Sequence, residues 1–156
     1  MIKSKTYNKT YFLLCLLLVS CIGDVAFSKY ESIADEGWLQ TDTLKFEASV
    51  CDSATMQGIL AMRIKDSFPY AGLSVVVEQE IADGNKKSYL KDTVTCELIN
   101  SRGKIQGEGV SRYQYEFPAN RFSIADSCTV STKVYHIMNV DTIPGITEVG
   151  FTLKKL

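Results

Sequence analysis

From residue 43 onward, apolar and polar side chains alternate along the chain. Over Thr43–Val50, Leu44, Phe46, Ala48 and Val50 share one phase, and Thr43, Lys45, Glu47 and Ser49 share the other. A period of two marks a strand with one face in a core and the other in water. The pattern recurs over Gly58–Ile64, with Leu60, Met62 and Ile64 inward and Arg63 outward. Leu73–Ile81 is richer in valine and predicts a central strand. Ala82-Asp83-Gly84-Asn85 has the chemistry of a hairpin turn, since Asp-Gly and Gly-Asn tolerate positive φ. A strand over Ser88–Ile99 follows, with Val94, Cys96 and Leu98 in phase, and then a turn at Asn100-Ser101-Arg102-Gly103. Arg112–Phe117 places Tyr113, Tyr115 and Phe117 on one face, and Pro118-Ala119-Asn120 predicts its end. Ser123–Ser127 has room for one helical turn. Cys128–Met138 predicts a long strand with Val130, Val134, His136 and Met138 in phase. Ile143-Pro144-Gly145 is a type II turn signal, and Ile146–Leu153 closes the pattern. Before it all, Ile22–Glu36 is polar and aperiodic and predicts a tether. Many short strands, turns every eight to twelve residues and no helical period predict an all-β fold. The expected architecture is an antiparallel β-sandwich, immunoglobulin-like or jelly-roll-like, over residues 37–156.

Chemistry is harder to find in this pattern. The chain has one histidine, so any Ser-His-Asp or Cys-His arrangement must use His136. Its phase with Val134 and Met138 predicts a structural, inward-facing imidazole instead. Ser74 lacks the second glycine of a nucleophile elbow. Gly103, Gly107 and Gly109 precede no Gly-Lys-Ser/Thr and no helix start, and so read as turn glycines. Cys51, Cys96, Cys128 and His136 contain no closely spaced ligand pair of the zinc type, and no acidic run matches a calcium loop. The expectation is therefore no enzyme, no metal, no cofactor and no small-molecule substrate. Trp38, Tyr70, Tyr113 and Tyr115 offer a sugar- or peptide-stacking platform only if they are exposed together. Packing in the core and along strand edges is their commoner use.

Charge changes the picture mainly at the N-terminus. The 156 residues carry a formal net charge of −1. Lys3, Lys5 and Lys9 all lie in the first twenty residues, which contain no acid; the remainder holds 14 basic and 18 acidic side chains. Without basic clusters the domain is not suited to nucleic acid. Tyr11–Val19 is apolar apart from the Tyr11 hydroxyl and Cys15, and falls short of the ~20 residues of a membrane span. A lysine-bearing start followed by a short apolar stretch is an export signal. It ends in Leu18-Val19-Ser20-Cys21, which resembles the bacterial lipobox. That resemblance implies a signal peptide over residues 1–20, diacylglycerol (with further fatty acyl groups such as palmitate) attached at Cys21, and a lipidated N-terminus and tether over 21–36. Acyl chains contribute ~0.8 kcal/mol per buried methylene, so two or three give a stable anchor. Of the remaining cysteines, Cys96 is expected as a buried free thiol. Cys51 and Cys128, at predicted strand ends, are the pair best placed for any disulfide.

A wider resemblance runs through the mature chain. Trp38 and Asp42-Thr43-Leu44-Lys45-Phe46 are followed by Met62-Arg63, Tyr70, Leu73, Asp92-Thr93, Leu98, Gly103, Gly107 and Gly109. The chain then closes on His136-Ile137-Met138, Ile143-Pro144-Gly145-Ile146 and Val149-Gly150-Phe151. This order resembles the gliding-motility lipoprotein GldH family of the Bacteroidetes. It departs from the family at Asn139, where members carry Arg, at Ile105, where many carry Trp nearby, and at Ala71-Gly72. The resemblance implies a non-catalytic cell-envelope lipoprotein that supports gliding and the associated secretion machinery by binding other envelope proteins. An outer-membrane anchor facing the periplasm is favoured over the inner membrane or cell surface. The alternative is a carbohydrate- or peptide-binding module at the cell surface, which would need a groove with coplanar exposed aromatics. The densest family-like pattern surrounds the turn from Asn139 to Gly145. Asp141 and Ile143 are therefore the candidate partner contacts if they are exposed; the alternative has Ile143 folded back onto the core and Asp141 bonded within the turn.

Overall fold

The computed structural model describes residues 24–84 and 86–156. The expected signal peptide and Cys21 lie outside those residues. Eleven strands follow one another: β1 (Val25–Ser32), β2 (Trp38–Leu39), β3 (Leu44–Val50), β4 (Ala54–Lys65), β5 (Gly72–Asp83), β6 (Lys86–Glu97), β7 (Glu108–Gly109), β8 (Arg112–Ile124), β9 (Cys128–His136), β10 (Thr142–Ile143) and β11 (Ile146–Lys155). One sheet has the order β1-β11-β4-β8-β7 and the other β3-β9-β5-β6, while β2 and β10 form a separate two-stranded ribbon. Every pairing is antiparallel.

The two large sheets face each other across one core, as their alternation requires. Leu60, Met62, Val149, Phe151 and Leu153 from one sheet meet Phe46, Val75, Val77, Val130 and Val134 from the other. The Phe46 and Phe151 rings, from opposite sheets, lie 6.1 Å apart. Each such buried side chain contributes about 1.5–3 kcal/mol relative to exposure. At the sides, β1 runs beside β3 and β6 beside β8. The expected antiparallel sandwich is thus the observed architecture.

Three local expectations fail, each for a physical reason. Val25–Ser32, placed in the tether by its lack of a period, is an edge strand paired with β11 from Val25↔Lys154 to Ser32↔Glu148. An edge strand buries neither face fully, so selection leaves no alternation to read. Side chains help to hold β1 down. The Tyr30 ring packs over Gly150, where a Cβ would come within 2.7 Å of it. The Arg63 guanidinium sits 4.5 Å from the Tyr30 ring centroid and also pairs with Glu148. Pro118 does not end its strand, because β8 runs on to Ile124 through a bulge in which Ala119 and Asn120 oppose the single residue Gly58. Proline, lacking an N–H, is tolerated at such a bulge. The Gln57 side chain donates to the freed Ala119 carbonyl at 2.8 Å. Ser123–Ser127 contains no helical turn: Ser123 and Ile124 finish β8, and a bend leads directly to β9.

Candidate functional site

The strands run between two poles. The turn after β3, the β5–β6 hairpin, the β8–β9 bend, the start of β1 and the end of β11 share one. The β2–β10 ribbon shares the other with the Pro144-Gly145 turn and the Asn100–Lys104 turn.

The ribbon pole is organised by Trp38. Two residues of strand cannot hold themselves together, so their side chains must. Trp38 pairs in register with Ile143, and both are fully buried. The indole meets the His136 ring edge-on, with centroids 5.3 Å apart. Trp38 Nε1 donates to the Asp42 carbonyl at 3.3 Å, and His136 Nε2 lies 3.2 Å from the Trp38 carbonyl. A carbonyl can only accept, so Nε2 carries the proton of the neutral imidazole. Burial pushes the His136 pKa below its usual value, although the Trp38 and Leu39 carbonyls and Asp42 favour the cation. Nδ1 is buried without a partner, which suits a neutral ring better than a charged one. The chain enters this pole through Gly37 at φ 113°, where a Cβ would lie 2.5 Å from the Ile143 carbonyl oxygen. It is tied further by Gln40, whose backbone N–H donates to the Asp141 carbonyl at 2.8 Å and whose side chain donates to the Met138 carbonyl at 3.0 Å. Gly145, at φ 84°, completes the expected type II turn, and its carbonyl accepts from Lys65 N–H at 2.8 Å.

This arrangement sorts the sequence candidates. His136 is the structural, inward histidine that its phase indicates. Ile143 is not a surface contact: it is buried against Trp38, because the ribbon turns it toward the core rather than the tip. Asp141 is exposed. Sequence reasoning missed two of the apolar side chains that project at the same pole, Leu39 and Ile137, exposed by 42% and 48%. The signal was present for Ile137, which falls out of phase with Val134, His136 and Met138. Leu39 gave none, because a two-residue strand has no period.

The alternative platform of aromatics is not assembled. Trp38 and Tyr115 are buried, and Tyr70 and Tyr113 are half-buried. Tyr115 stacks on Phe117, and Phe68 packs edge-on against Tyr70. The recess that Phe68, Tyr70, Tyr113 and Tyr115 share has a volume of about 30 Å³, too small for a sugar ring. A wider depression of about 280 Å³ lies on the outer face of the second sheet, between Glu78, Glu80, Tyr89, Lys91, Ser131 and Lys133. Its charges are largely spent on one another. Lys91 pairs with Glu78 at 2.9 Å, Lys87 pairs with Glu80, and the Tyr135 hydroxyl donates to Glu78 at 2.8 Å. The Lys91 and Tyr135 bonds hold the Glu78 carboxyl below its ordinary range, as a structural ion pair does. Tyr89 stands there without a second exposed ring beside it.

Cys51 is exposed, Cys96 and Cys128 are buried, and all three are free. Cys96 is the buried thiol that its phase indicates, with burial pushing its pKa up to about 12. Cys51 and Cys128 both lie at the pole opposite the ribbon, as expected of strand ends, but they are not bonded. Among the described residues, no three His, Cys, Asp or Glu side chains converge in a metal-binding group. No helix among them is long and apolar enough to cross a membrane.

Two comparisons bear on this architecture. The family model described as GldH lipoprotein matches residues 25–153, from the first residue of β1 to within two residues of the end of β11. No curated protein matches the chain.

Proposed function

We propose a binding role, and the premise is membership: the chain belongs to the GldH lipoprotein family. That family is a lipid-anchored group of the cell envelope, linked to gliding motility. On our reading the lipid is attached at Cys21, and the anchor lies in the outer membrane with the sandwich in the periplasm. The domain works without catalysis, supporting gliding and the associated secretion machinery by holding other envelope proteins. The observation that carries this reading is the ribbon pole. Exposed Leu39, Ile137 and Asp141 are displayed there on a buried frame of Trp38, His136 and Ile143. Apolar anchors with a charged neighbour on a rigid support are what a protein partner can grip.

The test is co-purification from membranes of the native lipoprotein, compared with Asp141→Ala and with the double variant Leu39→Ser/Ile137→Ser. Loss of a partner with unchanged thermal unfolding is the expected result. A partner retained by both variants places the contact elsewhere. Metabolic labelling with a fatty acid tests Cys21 in the same cells: Cys21→Ala is expected to lose the label and remain an uncleaved precursor.

A further inference from the structure

The start of β1 fixes more than a sheet edge. Pairing with β11 begins at Val25, and the Asp24 carbonyl already accepts from Lys155 N–H at 2.6 Å. Only Ile22 and Gly23 stand between Cys21 and this first tied residue. Three residue steps span at most roughly 11 Å, even fully extended. The room that a sixteen-residue tether would have provided is absent, because half of it is sheet.

We infer that the sandwich stands directly on the bilayer, with the pole where β1 starts against the phospholipid headgroup layer. This rests on the reading of Cys21 as the lipidated residue. The occupant of that pole follows from the length of chain left over: a lipid buried in the membrane about 11 Å from Asp24 leaves no space for a protein partner between. The surface suits an interface of headgroups. Val25 and Leu156 are apolar and widely exposed there, by 48% and 65%. Lys86 and Lys154 lie at the same pole, where lysines can reach lipid phosphates, beside the exposed carboxylates Asp24, Asp83 and Asp126. Asp52 is already paired with Lys155 at 2.6 Å, so it does not repel the membrane as a free carboxylate. β5 has twelve residues, and at about 3.3 Å per residue it spans on the order of 40 Å. The ribbon pole is therefore presented at that height above the lipid, facing away from it.

The protein carries its own reporter. Cys51 is exposed at the membrane pole, while Cys96 and Cys128 are buried. The purified lipoprotein is labelled on Cys51 with a fluorophore and reconstituted into vesicles of phosphatidylethanolamine and phosphatidylglycerol containing nitroxide-headgroup lipid. A second preparation carries the label at the ribbon pole, through Ile137→Cys in a Cys51→Ser background. The expected result is loss of most fluorescence at Cys51 and little or none at position 137. Equal quenching at both positions, or stronger quenching at 137, overturns the inference. Intact mass on the same samples separates it from its premise. Acylated protein with equal quenching sinks the standing pole alone, whereas protein without acyl mass sinks the Cys21 reading as well. A long Gly/Ser spacer inserted ahead of Asp24 is expected to relieve the quenching. Quenching that survives the spacer shows that the short span does not hold the pole down, and overturns the inference.

Discussion

The two poles of the sandwich solve opposite problems. The ribbon pole consists of pieces too short to be stable alone, and it buries polar and aromatic groups to hold them. Trp38, His136 and Ile143 are each almost inaccessible, and Trp38 Nε1 and His136 Nε2 are tied to backbone carbonyls, while His136 Nδ1 is left without a partner. The opposite pole is made of ordinary turns between long strands. Its side chains are polar or singly exposed, and its clearest interaction is the surface ion pair Lys155–Asp52. On the proposed binding role, the pole that presents a fixed shape to a protein has its frame inside. On the inference that the other pole rests on a fluid surface, it needs none. Stability at one end and tolerance at the other are thus two sides of one division of labour.

Substitutions can break this contrast, the largest effect coming first. Trp38→Ala removes the side chain on which the ribbon is built and is expected to cost about 3–5 kcal/mol. Ile143→Ala is expected to cost ~2 kcal/mol or more by the same mechanism. Urea midpoints measure both, and near-neutral values would show that the ribbon is an ornament rather than a frame. Acid sharpens the contrast through His136. Above its ordinary pKa of 6.5 the ring is neutral in folded and unfolded chains alike, so its contribution is complete. As pH falls below 6.5, the unfolded chain takes up a proton that the folded pole resists, and stability drops until the pH passes the lowered folded pKa. Comparing Tm between pH 7.5 and pH 5 for the parent and for His136→Gln isolates this loss; the variant is expected to be less acid-sensitive. At the other pole, Val25→Ser is expected to move unfolding by no more than about 0.5 kcal/mol, as for surface positions in general.

Much of the sandwich was legible in the alternation of residues 43–153, because strands with one buried face must alternate. β1 was not, since Phe27 and Tyr30 pack at a sheet margin on opposite faces and leave no period. Pro118 misled for a related reason: its meaning depends on whether a partner strand can spare a residue, and Gly58 on β4 is what makes room for the bulge. At the candidate site, the burial of His136 followed from phase. The burial of Ile143 did not, because it depends on a cross-strand partner more than one hundred positions away. Leu39 was silent. A surface residue chosen for what it meets outside the molecule carries no internal pattern.

The pairing of β1 with β11 has one further consequence, and it concerns time. Val25 and Lys154 are neighbours in the sheet, yet they stand at opposite ends of the domain's sequence. Closing so long a loop costs entropy that no local contact repays, and folds dominated by such distant pairings form slowly. The first sheet also lacks β11, the strand between β1 and β4, until Ile146–Lys155 are available, so β1 has nothing to pair with and Tyr30 no glycine to cover. For a chain threaded into the envelope from its N-terminus, almost the whole domain emerges before β1 can be closed into its sheet. On the proposed reading of Cys21, lipid attachment comes first and the closing of β1 second, with the sandwich completed beside the membrane.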